Sequence, residues 1–364
     1  MKVKLGEYIQ EYSVRNKANE DIPVYSVTNT QGFCQDYFGK EVASKDKSTY
    51  KIVPRGYFAY NPSRINVGSV DWQRDEDQVI VSPLYNVFSV SPELNQQYLY
   101  YYLKSDFALH RIKAAATGSV RDNLKLEMLK NFPIRIPRVE EQEYIVQVLD
   151  KAKNIINLRR NELQKLDDLI KARFVEMFCE DIKKSNMTIA DIAEETTVGI
   201  ANSATHAYSE SGVVMLRNQN IRVNYLDDRD LIYIKQDFAE KYKNKALHEG
   251  DILVTRTGAN VGMACIVPKK YEGCQTFTTL ILRLRKDISI SPIFVCHYIN
   301  SPLGKSFVDE NKIGGGQPNF GAKQLSIMPI VVPSEEKQIA FDLFVNQVDK
   351  SKYNYSSSSL FLGI

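Results

Sequence analysis

Between Val139 and Asn186 the chain contains neither proline nor glycine. Within that span apolar residues return in steps of three and four: Ile145, Val148/Leu149, Ala152, Ile155/Ile156, Leu163, Leu166, Leu169/Ile170, Phe174 and Met177/Phe178. That period is helical. Glu140–Cys179 is therefore expected to form one helix of about forty residues, roughly 60 Å long. Arg159 and Arg160 interrupt the stripe once. So long a helix with so narrow a stripe ordinarily pairs with another helix. A core helix inside a single globular domain is the alternative, and the different composition on either side argues against it.

The flanks read as mixed strand and helix. Short β-branched and aromatic runs between Gly, Pro and Asn predict strands at Ile22–Val27, Gly56–Tyr60, Gln78–Val81, Tyr85–Val90, Gly212–Leu216, Asp251–Val254 and Thr278–Leu284. Tyr98–Lys113 and Ile293–Asn311 read as helices. The tyrosines of 98–102 could stack on bases, but rings at this density on a helix more often pack.

The two flanks match each other. Pro54-Arg55-Gly56-Tyr57-Phe58 aligns with His248-Glu249-Gly250-Asp251-Ile252, and Asn66-Val67-Gly68 with Asn260-Val261-Gly262, at a shift of 194 residues. Further on, at a shift of 196, Tyr102-Leu103 meets Tyr298-Ile299, Gly118…Asn123 meets Gly314…Asn319, Ile134…Pro137 meets Ile330…Pro333, and Glu140-Glu141-Gln142 meets Glu336-Lys337-Gln338. So many agreements in order indicate duplication of a unit made of an α/β module and a helix. Each helix opens on glutamates, which complement its dipole, and Ser334 is a candidate N-cap. The expected segments are 1–138 (first module), 139–182 (central spacer helix), 183–333 (second module) and 334–364 (C-terminal spacer helix).

Charge follows the same division. Residues 1–138 hold 19 Lys/Arg against 15 Asp/Glu and residues 183–333 hold 18 against 15, whereas 139–182 hold 7 against 10. Two mildly basic bodies on an acidic strut suit a nucleic-acid partner, although so small an imbalance is weak support. No apolar run is long enough to span a bilayer, and the opening residues lack a signal-type run, so a cytoplasmic protein is expected. The five cysteines form no CxxC pair and the four histidines stand alone; no metal and no cofactor is expected.

These motifs together resemble the specificity subunits of type I restriction-modification systems, over nearly all of residues 1–352. The carriers are Lys4-Leu5-Gly6-Glu7-Tyr8-Ile9, the Gly-hydrophobic strand followed by Asn-Val-Gly, the Gly…Asn segment, the hydrophobic-Pro strand, the Glu-Gln/Lys-Gln helix start, and Leu149-Asp150-Lys151-Ala152-Lys153. The resemblance implies an α+β protein with two tandem α/β target-recognition domains. They are separated by long helices that pack as an antiparallel coiled coil, with a pseudo-twofold internal repeat. It implies double-stranded DNA as ligand, each domain reading half of a split site. It also implies two methyltransferase subunits acting on adenine N6, and restriction subunits joining through the complex.

The chain itself lacks the motifs of those reactions. No Pro-Pro pair exists for an adenine methyltransferase; Asn61-Pro62-Ser63-Arg64 is the nearest approach. No GxxxxGK[ST] occurs, and Gly314-Gly315-Gly316 precedes Gln317-Pro318 instead. Asp71…Asp75-Glu76-Asp77 lacks the Glu-x-Lys of a nuclease and reads as a solvated acidic turn. A non-catalytic subunit is expected. Two other readings are an enzyme with an unrecognised site, and a truncated subunit that binds the methyltransferase without productive DNA reading.

Arg or Lys suits guanine and Asn or Gln suits adenine in the major groove. The candidate readers in loops beside the repeated motifs are Asn29, Gln31, Tyr60, Asn61, Arg64, Asn66, Arg121 and Asn123 in the first module. In the second they are Arg217, Asn218, Gln219, Asn220, Arg256, Thr257, Asn260, Gln275, Gln317 and Asn319. Any one of them could instead hold a turn. After Asp349 only fifteen residues remain, with four consecutive serines that make poor helix. The C-terminal helix is expected to be cut short, leaving Leu163, Leu166, Ile170 and Phe174 facing water.

Overall fold

The computed structural model describes residues 2–35, 46–115, 123–201, 204–316 and 318–360, with side chains to residue 352. It divides into two compact units, Met1–Leu158 and Arg159–Ile364. The division falls inside a 45-residue helix, Val139–Lys183, at the Arg159-Arg160 break in its stripe.

Each unit is built on the same four-stranded antiparallel sheet. In the first the order is Ile9–Glu11, Asn86–Val90, Phe58–Tyr60, Val70–Trp72; in the second it is Ala193–Val198, Leu280–Leu284, Ile252–Val254, Ala264–Ile266. The duplication read from short motifs is therefore a duplication of topology. The inner strands Phe58–Tyr60 and Ile252–Val254 are buried on both faces, which is why they read as continuous apolar runs. Phe58 and Tyr60 point to one core and Ala59 to another. Ile252 and Val254 likewise face one core and Leu253 a second, as the two-residue period of a strand requires.

One core of each unit is closed by three helices: Gln96–Lys104, Asp106–Ala115 and Leu126–Lys130, repeated as Pro292–Asn300, Pro302–Asn311 and Ala322–Ser326. Each expected long helix is thus two. Ser105 and Ser301 cause the break, accepting from Ala108 N and Gly304 N, both at 3.2 Å; in the second copy Pro302 also has no N–H with which to continue a helix. The tyrosines pack: Tyr98 and Tyr102 donate to the carbonyls of Arg135 (2.9 Å) and Pro133 (2.8 Å). Beyond the sheet lie short strands that differ between the copies: Ser26–Thr28, Gly32–Cys34, Lys51–Pro54 and Gln78–Val81 enclose one further core in the first unit, and Tyr208–Ser209, Val213–Leu216, Ile232–Ile234 and Gln275–Thr276 lie over two in the second, around Leu253 and around Met215.

In the second unit the helix Glu335–Leu360 packs antiparallel on the end of the central helix. Lys337 pairs with Asp181 at 2.7 Å and Lys352 with Asp167 at 2.6 Å. Phe174 and Phe178 close against Phe341 with ring centroids 5.6 and 5.4 Å apart. Two expectations are corrected here. Ile170 and Phe174 are buried and Leu166 packs against the same core, because the partner helix starts beside residue 181 and runs back along this half. Along the central helix the exposed apolar residues are Val139, Tyr144, Val148, Leu149, Ile155, Ile156 and Leu158 in the first unit, and Leu169 and Val175 in the second. The four serines also lie within the helix. Their propensity penalty, about 0.5 kcal/mol each, is small once packing has nucleated the turn before them.

Candidate nucleic-acid interface

In the first unit, a cleft of about 470 Å³ opens beside the Asn-Val-Gly turn, lined by the polar residues Ser26, Thr28, Asn29, Asn61, Arg64 and Ser69 together with Val27, Val67 and Tyr85. Asn61 ends its strand with an Asx-type turn, its Oδ1 accepting from Ser63 N (3.1 Å) and Ser63 Oγ (2.9 Å). That turn leads into a 3₁₀ turn, Ile65–Val67, closed by Gly68 at φ +87°. It leaves Arg64 exposed on the rim and Asn66 half-buried within the turn. Lys104 fastens the opposite wall, donating to the carbonyls of Gly68 and Asn29, the latter at 3.2 Å. Nothing in the sequence singled out Lys104; its one signal was its place at the end of a repeated helix. Gln31 is exposed beside Asn29, and Asn123 is exposed at the start of the segment before the third helix.

In the second unit four loops meet in a hydrogen-bonded chain. Thr279 Oγ1 donates to Asn218 Oδ1 (3.2 Å), Asn218 Nδ2 donates to Thr257 Oγ1 (3.2 Å), Thr257 bridges Asn319 through the backbone, and Arg256 Nε donates to Asn319 Oδ1 (3.1 Å). The structure thus brings together Asn218, Arg256, Thr257 and Asn319. Thr279, hidden in an otherwise apolar strand signal, completes the chain. Gln219 is exposed beside them and Asn260 is half-buried. Arg217 spends one donor on the Asp230 carbonyl.

Three candidates are corrected. Tyr60 is fully buried, its hydroxyl donating to the Leu124 carbonyl at 3.1 Å, and burial pushes its pKa far up; it is a core residue. Asn220 is buried and its Nδ2 donates to the carbonyls of Asp227 and Arg229, both at 3.0 Å, so it holds the loop's shape. Gln275 is buried in a strand with its Nε2 on the Tyr242 carbonyl at 3.1 Å. Arg121 and Gln317 lie outside the described residues.

The acidic stretch is also not one solvated turn. Asp71 is buried, pairs with Arg74 at 2.9 Å and accepts from Trp72 N at 2.9 Å, while Asp75–Asp77 are exposed. In the second unit Arg229 and Arg222 hold the Asp227 carboxyl well below the usual carboxylate range. Among the described residues no three His, Cys, Asp or Glu side chains converge as metal ligands, and no helix is long and apolar enough to cross a membrane.

Taken together, this is a duplicated α/β module whose repeated scaffold carries a non-repeated polar loop edge, each copy followed by a helix. The chain belongs to the family of the type I restriction modification DNA specificity domain, which residues 2–168 and again 181–352 match. It is similar to the type I restriction enzyme MjaVIII specificity subunit of Methanocaldococcus jannaschii, 22% identical over 70% of this chain and 64% of that protein. It is also similar to the EcoKI specificity subunit of Escherichia coli K12, 20% identical over 66% of this chain and 56% of that one. These matches span less than two thirds of either relative's length. The type I restriction-modification S subunit from M. genitalium shares the fold, with a TM-score of 0.54 at 15% identity over 100% of this chain and 93% of that one. A chain from a study of type I complex assembly gives 0.56 at 16% identity, with the same shares of the two chains covered.

Proposed function

We propose that the chain reads a two-part DNA site, one half with each module, and directs partner subunits that methylate adenine N6 and restrict unmodified DNA. The observation that carries this is the pairing of a repeated scaffold with unrepeated polar edges. The sheet and its three helices recur element for element, whereas the strands and loops around Asn29 and Asn218 differ between copies, and the repeated Asn-Val-Gly loop carries its arginine at different positions, Arg64 in one copy and Arg256 in the other. A scaffold held fixed while its polar edge varies is what reading two different half-sites in one geometry needs, since base-edge contacts specify and phosphate contacts position. The catalytic motifs of a methyltransferase or nuclease are missing from the sequence, which supports a non-catalytic role. The spacer helices offer surfaces on which the two methyltransferase subunits would assemble.

Modification-sensitive long-read sequencing of DNA from cells expressing this chain with its methyltransferase subunits tests the proposal. A methylated motif in two separated halves is expected. Exchanging residues 1–138 for another such module should change one half and leave the other intact; a change in both halves, or methylation by the chain with cofactor alone, would overturn it.

A further inference from the structure

The two modules close their loop edges with the same backbone hydrogen bond. Leu124 N donates to the Pro62 carbonyl at 3.1 Å, and at the repeat positions Phe320 N donates to the Arg256 carbonyl at 2.9 Å. An asparagine precedes the donor in both copies, Asn123 and Asn319. The difference is the residue on the other side of this clasp, Pro62 in the first module and Arg256 in the second. A proline there offers nothing to a ligand, so the guanidinium is an addition specific to the second module.

That guanidinium is held by one end. Its Nε is taken by Asn319 Oδ1 at 3.1 Å, and among the described residues neither Nη has a protein partner. An arginine fixed through Nε presents its two Nη groups as a planar pair of donors, the geometry that matches guanine O6 and N7 and costs little side-chain entropy to use. The ground beside it is bare. Gly314 (φ +97°), Gly315 and Gly316 are exposed, and a Cβ at Gly315, Gly316 or Gly258 would meet nothing within 4 Å, so a nucleic-acid groove can come close to the backbone here.

Resting on the DNA reading proposed above, we propose that Arg256 reads a guanine in the half-site of the second module, with Asn319 as the positioning residue that holds its guanidinium in register.

The test is the methylated motif produced by the chain with its methyltransferase subunits, for wild type, Arg256→Ala, Arg256→Lys and Asn319→Ala, with the halves assigned by exchanging residues 1–138. The wild-type half-site of the second module should contain a guanine. Both Arg256 variants should make that one position degenerate, with discrimination falling roughly ten- to a hundredfold, and Asn319→Ala should shift it in the same direction by less. The first half should not change. If Arg256→Ala fails to fold, Arg256→Lys, which keeps stem and charge but not the fork, carries the test. An unchanged motif, a motif without guanine in that half, or a uniform loss at every position, as from a phosphate contact, overturns the assignment to Arg256 while leaving two-part reading intact. Absence of any two-part motif with the wild-type chain overturns both.

Discussion

Gln142 and Gln338 sit at the same point of the two repeated helix starts and make the same three hydrogen bonds. Gln142 accepts from Asn95 N (2.8 Å) and donates to the carbonyls of Glu93 and Pro137 (both 2.8 Å); Gln338 accepts from Ser291 N (2.6 Å) and donates to those of Ser289 (3.0 Å) and Pro333 (2.9 Å). Both side chains are buried. Each clasps its spacer helix to the capped start of a module helix.

Replacing Gln338 by Leu should therefore cost about 1–3 kcal/mol, since it strands a buried N–H and two carbonyls. Chemical denaturation of the second unit measures it. Gln142→Leu should do the same to the first unit. A loss under about 0.5 kcal/mol in both would show the clasp to be dispensable.

The helix and the duplication were legible because each writes a long-range pattern into the sequence: a three–four stripe in one case, ordered motif pairs in the other. The loop edge was legible only in part. Asn218, Asn220 and Gln275 are alike in type and all near repeated motifs, yet one joins the exposed-edge network and two are buried braces, a distinction set by tertiary hydrogen bonds. Tyr60 did carry a usable signal, because the repeat aligns it with Val254, an apolar core position. The length of the partner helix alone places the stripe residues 163–174 in water, but an antiparallel partner beginning beside residue 181 covers that half first.

Substitutions along the central helix should separate the covered half from the exposed one. Phe174→Ala removes a fully buried ring from the cluster with Phe178, Phe294 and Phe341 and should cost about 3–5 kcal/mol. Ile155→Ala should cost well under 1 kcal/mol, as its side chain is more than half exposed. The exposed stripe instead favours association. Ile155→Glu with Leu158→Lys should lower the sedimentation-derived mass of a self-associating preparation, or weaken binding to the methyltransferase subunits, without changing the melting temperature. A protein that is monomeric before the change and binds its partners as well after it would refute this.

His297 should make the second unit acid-sensitive. Burial lowers its pKa from 6.5 to about 4; Asp349 and Asp167 oppose the shift, while Lys352 adds to it. The ring lies edge-on to Phe341 at 5.4 Å. Its folded-state pKa is below the unfolded value, so the unfolded chain binds the extra proton first. Stability contributed by the neutral imidazole is full above about pH 6.5 and is lost as pH falls toward about 4, by on the order of 3 kcal/mol. His297→Gln should flatten the stability-versus-pH curve between these limits. Equal slopes for the variant and wild type would assign the acid sensitivity elsewhere.

Lys104 should matter to one half of the DNA site alone. Its ammonium ties the Asn29 loop to the Gly68 carbonyl across the first module's cleft, and burial lowers its pKa. The repeat places Asn300 at the same point of the second module, where it instead accepts from Ala264 N at 2.9 Å and donates to its carbonyl at 2.8 Å. Lys104→Met keeps most of the apolar stem and removes the two bonds, so the fold should lose about 1–2 kcal/mol while the wall carrying Asn29 loosens. On the two-part reading, methylation should then tolerate mismatches in the half assigned to residues 1–138, with the other half read as stringently as before. The motif recovered from Lys104→Met cells decides this: relaxation in the second half, or equally in both, would mean that the lysine acts through overall binding and not through the shape of its own cleft.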